Sequence, residues 1–241
     1  MGGALLALLL ALLAGCAGAP VRAPAEVPAA RAEVQPPAAA PTTTPSAAQD
    51  AAGSALDVRI DDARSVLRLR VYRGGTLARL GHNHVIVAPL RGSAALLADR
   101  VARLDLETEP AGWRIDEAQE RQRAGAGFES VPDAAAIAGT RTNLLSAALL
   151  DAERHPQVRI RGQGGLTAPD RLAMALELHV QGRTVPLAVE LQVAQQQDGW
   201  RGTGSTRLSH AQLGLTPFSA LGGALKVEDA IDVEIEVWLL R

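Results

Sequence analysis

Leu172-Ala173-Met174-Ala175-Leu176-Glu177-Leu178-His179-Val180, followed after a Gly182-Arg183 turn by Val185-Pro186-Leu187-Ala188-Val189-Glu190-Leu191-Gln192-Val193, decides the fold class. Apolar residues recur at every second position. Successive side chains of a strand point to opposite faces, so each segment reads as a half-buried strand with one apolar and one polar face. The same period runs through Leu67-Arg68-Leu69-Arg70-Val71 and through Ile231-Asp232-Val233-Glu234-Ile235-Glu236-Val237-Trp238-Leu239. Hairpin turns are expected at Gly74-Gly75, Gly182-Arg183 and Asp198-Gly199. Strands with one wet face belong to an antiparallel sandwich or barrel, so the fold class is all-β.

One region departs from period two. Pro132 to Glu153 is rich in Ala and Leu and reads as helix, in two pieces split near Gly139, with Leu145 and Leu149 facing the sheet. Pro156 stops it, and Val158 and Ile160 open the next strand. The order is therefore several strands, a short helical crossover, then more strands.

The amino-terminal quarter has a different character. Ala4 to Ala14 is an unbroken run of Leu and Ala, and Leu13-Ala14-Gly15 leads into Cys16, the only cysteine. A short apolar segment ending in small residues and Cys reads as a bacterial lipoprotein signal, cleaved after Gly15, with lipid on the Cys16 thiol. The run is too short to span a bilayer as a mature helix. Residue 17 is Ala, not Asp, which favours sorting to the outer membrane over inner-membrane retention. Seven of the 14 prolines then lie between Pro20 and Pro45, among Ala, Thr and Gln. Such a stretch buries too little apolar surface to offset chain entropy. The organisation expected is signal peptide 1–15, lipidated Cys16 and tether 16–54, and a folded domain 55–241. As a coil the tether would reach roughly 35 Å, and at most about 120 Å if polyproline-like.

Composition narrows the function classes. The 24 basic and 26 acidic residues give a net charge of -2, without the basic excess that a nucleic-acid partner requires. A single cysteine cannot form a disulfide within the chain. There is no Gly-x-Ser-x-Gly elbow and no His-Glu-x-x-His helix. Enzyme activity would therefore depend on a metal.

Three segments together resemble the YceI-like family of periplasmic, lipocalin-like barrels. They are Arg79-Leu80-Gly81-His82-Asn83-His84-Val85-Ile86; Gly139-Thr140-Arg141-Thr142-Asn143 with Leu150 through Ile160; and Leu213-Gly214-Leu215-Thr216-Pro217-Phe218 with Gly222 through Asp229. His155 stands before Pro156 where that family usually has an aromatic. The resemblance covers about residues 56–241 and implies an antiparallel lipocalin-like β-barrel of about eight strands with a short helical crossover. It also implies a lumen that holds a long apolar molecule, a polyisoprenoid such as a quinone tail. A barrel of eight strands has room for one small ligand.

On that reading the lumen candidates are Leu172, Met174, Leu176, Leu178, Val185, Leu187, Val189, Leu191, Ile231, Val233 and Ile235. Phe218 either covers the ligand or packs in the core. With few aromatics, a lining of Leu, Val, Ile and Met suits a flexible aliphatic chain better than a flat ring. The expected partners are an apolar small molecule and, through Cys16, a membrane.

His82 and His84, two apart, point to one side of a strand and could offer two nitrogens to a divalent metal such as zinc. A third ligand would come from His210, His155 or Asp229. The other reading is that both histidines satisfy nearby backbone or carboxylate groups. His179 is expected on the solvated face and His210 in a surface or capping role. Asp232, Glu234 and Glu236 read as a solvated strand face. A third class of function, an envelope scaffold, predicts a solid core and an exposed apolar patch.

Overall fold

The computed structural model describes residues 55–240. Cys16, the apolar run before it and the Pro-rich stretch lie outside the described residues. Twelve strands run in chain order: β1 (Leu56–Ile60), β2 (Val66–Gly74), β3 (His84–Pro89), β4 (Arg91–Leu96), β5 (Arg100–Thr108), β6 (Arg114–Ile115), β7 (Val158–Ala168), β8 (Arg171–Val180), β9 (Arg183–Gln196), β10 (Gly199–Ser209), β11 (Ser219–Ala220) and β12 (Leu225–Leu240). Helices α1 (Ala118–Ala124) and α2 (Ala134–Leu145) separate β6 from β7, and α3 (His210–Leu213) follows β10.

The strands close into an antiparallel barrel of eight staves. β4, β5, β7, β8, β9, β10 and β12 pair in that order, and β1 joins β12 back to β4. β2 continues the β1 stave along β12, and β3 continues the β4 stave along β2. Closure gives every stave two neighbours, although β9 and β10 pair only over residues 191–196 and 199–204 and part beyond them. The first stave carries a surplus of residues. Arg59 faces Leu240 and Val66 faces Glu236, so seven positions on one strand advance against four on the other. The excess is folded into the turn Asp61–Ser65. Asp61 Oδ1 accepts from the Ala63 amide there, and the Leu90 amide donates to the Ser65 carbonyl at 2.9 Å.

The alternation read from β8, β9, β2 and β12 sets their two faces. Leu67, Leu69, Ile231, Val233 and Ile235 turn inward. Outside, Arg68 bridges Glu236 (2.9 Å) and Glu120 of α1 (2.8 Å), Arg70 pairs with Glu234, and Tyr72 donates to Asp232 (2.7 Å). Asp232, Glu234 and Glu236 are therefore not a merely solvated row. They are half-buried ion-pair partners, and Glu236 also receives Arg201 at 2.9 Å. Burial pushes the Glu236 carboxyl up, but hydrogen bonds from Arg68, Trp238 and Arg201 outweigh it and hold the group below its ordinary value.

Two local expectations are corrected. The β8–β9 turn is Gln181-Gly182, both at positive φ (48° and 70°), as a tight two-residue hairpin needs. α2 is one continuous helix through Gly139, capped by Asp133 Oδ1 accepting from the Ala136 amide (2.7 Å). Its buried apolar residue is Leu144, while Leu149 lies in the turn beyond the helix. A helix tolerates one exposed Gly at modest cost, so Gly139 does not break it.

The interior has two unlike parts. Around β1, β4, the start of β8 and the end of β9, a cluster of Val58, Ala94, Val101, Leu172, Met174, Val189 and Leu191 fills the barrel. Gly162, Gly164 and Gly204 stand opposite Leu176, Met174 and Leu191. A Cβ on Gly164 would come within 2.4 Å of the Met174 sulfur, so these glycines make room for their large neighbours. The other half, roofed by α2, α3 and the segments after them, stays hollow.

Candidate functional site

The hollow half is a cavity of about 290 Å³. That is close to the lower end of ligand pockets, which run about 300–1,000 Å³. Its walls are strand faces: Leu67, Leu69 and Val71 from β2, Val158 and Ile160 from β7, and matching residues of β8, β9, β10 and β12. Leu144 of α2, with Leu149 and Leu150, roofs it, and Leu213 and Leu215 close the side next to β10. Its floor is Leu176 and Ile235, which pack against the filled cluster, and Val189, which belongs to both. The lining reaches the surface at Arg73, Asn143, Phe218 and Lys226, all exposed.

The positions singled out in the sequence fall into two groups. Leu176, Leu178, Leu187, Val189, Ile231, Val233, Ile235 and Phe218 line the cavity. Leu172, Met174 and Leu191 sit in the filled cluster, and Val185 packs half-buried against the main core. Strand parity puts a residue inside but does not say at which height, and height separates the two groups. With Met174 in the plug, no methionine among the described residues lines the cavity, whereas buried Trp113 does.

His82 and His84 both line the cavity, their rings 6.4 Å apart and inclined at 64°. His84 is held from behind. Its Nδ1 lies 2.6 Å from Asp116 Oδ2. An ionised carboxylate only accepts, so Nδ1 carries the proton and donates. Asp116 follows β6 at φ 56°, a left-handed backbone that Asp tolerates better than most residues. Its side chain is wholly buried, accepting from the Val85 amide (3.0 Å) and from Arg121 (2.5 Å). Burial alone would raise the Asp116 carboxyl. Hydrogen bonds from His84, the Val85 amide and Arg121 prevail and hold it below the ordinary aspartate value of 3.8. Arg121, also buried, donates to the Asn83 carbonyl (2.8 Å) and to the Ser130 carbonyl, and lies 5.8 Å from the Phe128 ring centre. Thus α1 and the loop after it clamp the back of His84 from outside the barrel. Neither Asp116 nor Arg121 stands out in the sequence. Asp116 reaches His84 across 32 positions, through a strand of only two residues.

The cavity side of this pair has few protein partners. His84 Nε2 meets Thr140 Oγ1 at 3.4 Å, the long limit of a hydrogen bond, and that hydroxyl donates to the Ala136 carbonyl at 2.9 Å. His82 Nδ1 is buried with no hydrogen-bond partner among the described residues.

His210 is buried, not on the surface. It lines the cavity, and its Nδ1 donates to the Asp229 carbonyl at 3.0 Å. His179 stays on the outer face beside Glu177 and Thr184. His155 is half-buried next to the Gly182 turn. Among the described residues, no three His, Cys, Asp or Glu side chains converge on a metal position.

Comparison with known proteins places this geometry. Residues 113–239, more than half of the chain, match the YceI-like domain family. No curated protein matches the sequence. Among solved structures, BcnA of Burkholderia cenocepacia is similar at 10% identity and a TM-score of 0.49, over 76% of this chain and 99% of that one. A YceI protein of Campylobacter jejuni is similar at 13% identity and a TM-score of 0.41, over 58% of this chain and 74% of that one.

Proposed function

Because this chain belongs to the YceI-like family, we propose that it is a periplasmic carrier. It would be tethered through lipid on Cys16, at the outer membrane, and hold an isoprenoid-like molecule, quinone or polyprenyl, in the hollow half of its barrel. The family binds polyisoprenoids. The observation that carries the reading is the cavity itself, enclosed by Leu, Val and Ile side chains and opening at Phe218. A flexible aliphatic chain fits such a wall, since apolar contact needs no fixed geometry and contributes roughly 25 cal/mol per Å² buried. A scaffold barrel would not require this void, because barrels of eight strands can fill their interior with their own side chains.

The test is purification of the full-length chain from a bacterial envelope, extraction with organic solvent and mass spectrometry of the extract. A single apolar lipid, stoichiometric with protein and absent once Leu69→Trp or Val233→Trp blocks the cavity, is the expected result. A metal ion lost on replacing His82 and His84 together would favour a metal protein instead. A bare barrel that takes up no added isoprenoid would sink the carrier reading. Labelled palmitate on the wild-type chain, lost in Cys16→Ser, tests the anchor.

A further inference from the structure

The cavity wall is apolar along most of the β2, β8, β9 and β12 faces, Thr206 and His210 add polar groups on the β10 side, and two histidines stand together where β3 begins. There His84 is fixed in one tautomer by a wholly buried carboxylate, with its Nε2 toward the cavity. His82 brings a buried, unpartnered Nδ1 to the same wall. Thr140, whose hydroxyl is at the long limit of reach from His84 Nε2, has its proton committed to Ala136. An unsatisfied buried nitrogen is costly, and here one imidazole nitrogen has no partner and its neighbour has only a contact at 3.4 Å.

We propose that His82 and His84 seat the head group of the ligand, and that this head group is an uncharged oxygen, a hydroxyl or a carbonyl. The inference rests on the carrier reading and says which end of the chain goes where. The oxygen sits at the histidine pair, and the chain runs down the Leu and Val faces to the floor at Leu176, Val189 and Ile235. A hydroxyl donates to His84 Nε2, and His82 Nδ1 serves a hydroxyl or a carbonyl according to its tautomer.

An anionic head group is disfavoured by the surroundings. The charge behind His84 is the Asp116 carboxylate, already matched by Arg121. The basic residues on the lining, Arg73 and Lys226, are exposed at the rim, and Lys226 lies 3.8 Å from Glu228. Arg73 donates to the Gly81 carbonyl at 2.7 Å. Neither offers a buried cation.

Competition between farnesol and farnesane for the delipidated full-length protein, read by native mass spectrometry, tests this. The two share a branched fifteen-carbon skeleton but differ in three double bonds as well as the hydroxyl, so hexahydrofarnesol, which is farnesane with a terminal hydroxyl, is run beside them and should behave like farnesol. Farnesol should bind about tenfold more tightly, the worth of roughly one net hydrogen bond. His82→Phe, which keeps a ring and removes the nitrogens, should shrink that ratio by weakening farnesol more than farnesane. In the wild-type protein, imidazole ¹⁵N shifts should move with farnesol and not with farnesane, a readout that needs no variant. Equal binding of the two would overturn the head-group inference and leave the carrier reading intact. Failure of both to bind would overturn both. Preference for farnesyl phosphate over farnesol, lost on replacing Arg73 and Lys226, would move the head group to the rim and overturn the assignment to the histidines.

Discussion

The two halves of the barrel interior are built from the same staves and end up as different materials. In the filled half, Met174 and Leu191 meet Gly164 and Gly204 across the ladder, so each large side chain occupies space that its neighbour gives up. In the hollow half, Leu178 faces Ile160 and Val185, Ile235 faces Leu67, and Leu187 faces Leu176. There, side chains of middling size ring a space they do not fill. The hollow half is supported from outside instead, by α1, Asp116 and Arg121. A plug relies on packing and a hollow wall on its buttress, so the two should fail in different ways.

The largest effect should come from the buttress. Arg121→Ala leaves the Asp116 charge buried with one partner fewer, and should cost about 3–5 kcal/mol in chemical denaturation. A loss under about 1 kcal/mol would mean that the wall stands without it. Next comes a paired truncation. Met174→Ala opens a new void in the plug and should cost about 2–4 kcal/mol, whereas Leu187→Ala only widens an existing one and should cost about 1 kcal/mol. Equal losses would erase the distinction between the halves. Gly164→Val overfills the plug, with a Cβ 2.4 Å from the Ala173 carbonyl oxygen, and should lose about 1–3 kcal/mol without altering farnesol binding.

Acid should bring the smallest and most gradual change. Asp116, Asp232 and Glu236 are all held below their ordinary values of 3.8, 3.8 and 4.5. Their stabilisation is present above those values and is lost as pH falls through the lower values of the folded state, because the unfolded chain takes up protons first. The melting temperature should therefore be level near pH 6 and decline below about pH 4. A level profile down to about pH 3 would show that these carboxylates gain nothing from their partners.

Much of the barrel could be read from the chain because strand alternation is a local property. Leu172 to Val180 and Ile231 to Leu239 announce their faces without knowledge of their neighbours, and the family resemblance supplied the closure. Height along the barrel axis is not local. It depends on register, and the seven-against-four advance beside β12 changes it, so Met174 and Leu178 looked equivalent and are not. The histidine pair was visible, but its support was not. Asp116 looks like an ordinary loop acid, and its importance comes from a left-handed backbone and from Arg121, five residues on, returning from a helix of seven residues. His210 looked superficial because the segment from Leu208 to Leu213, with Ser209 and Gln212 in it, is turn-like. Those two residues form a capping box that drives the short α3, and that turn carries the imidazole inward.

Asp116 also restricts the alphabet available at its own position. At φ 56° the comfortable residues are Gly, Asn and Asp. Facing both a guanidinium and an imidazole N–H, the comfortable residues are Asp and Glu. Only one residue type belongs to both sets. Asn keeps the backbone and forfeits the charge, and Glu keeps the charge and forfeits the backbone, so these two replacements separate the shape of this corner from its electrostatics.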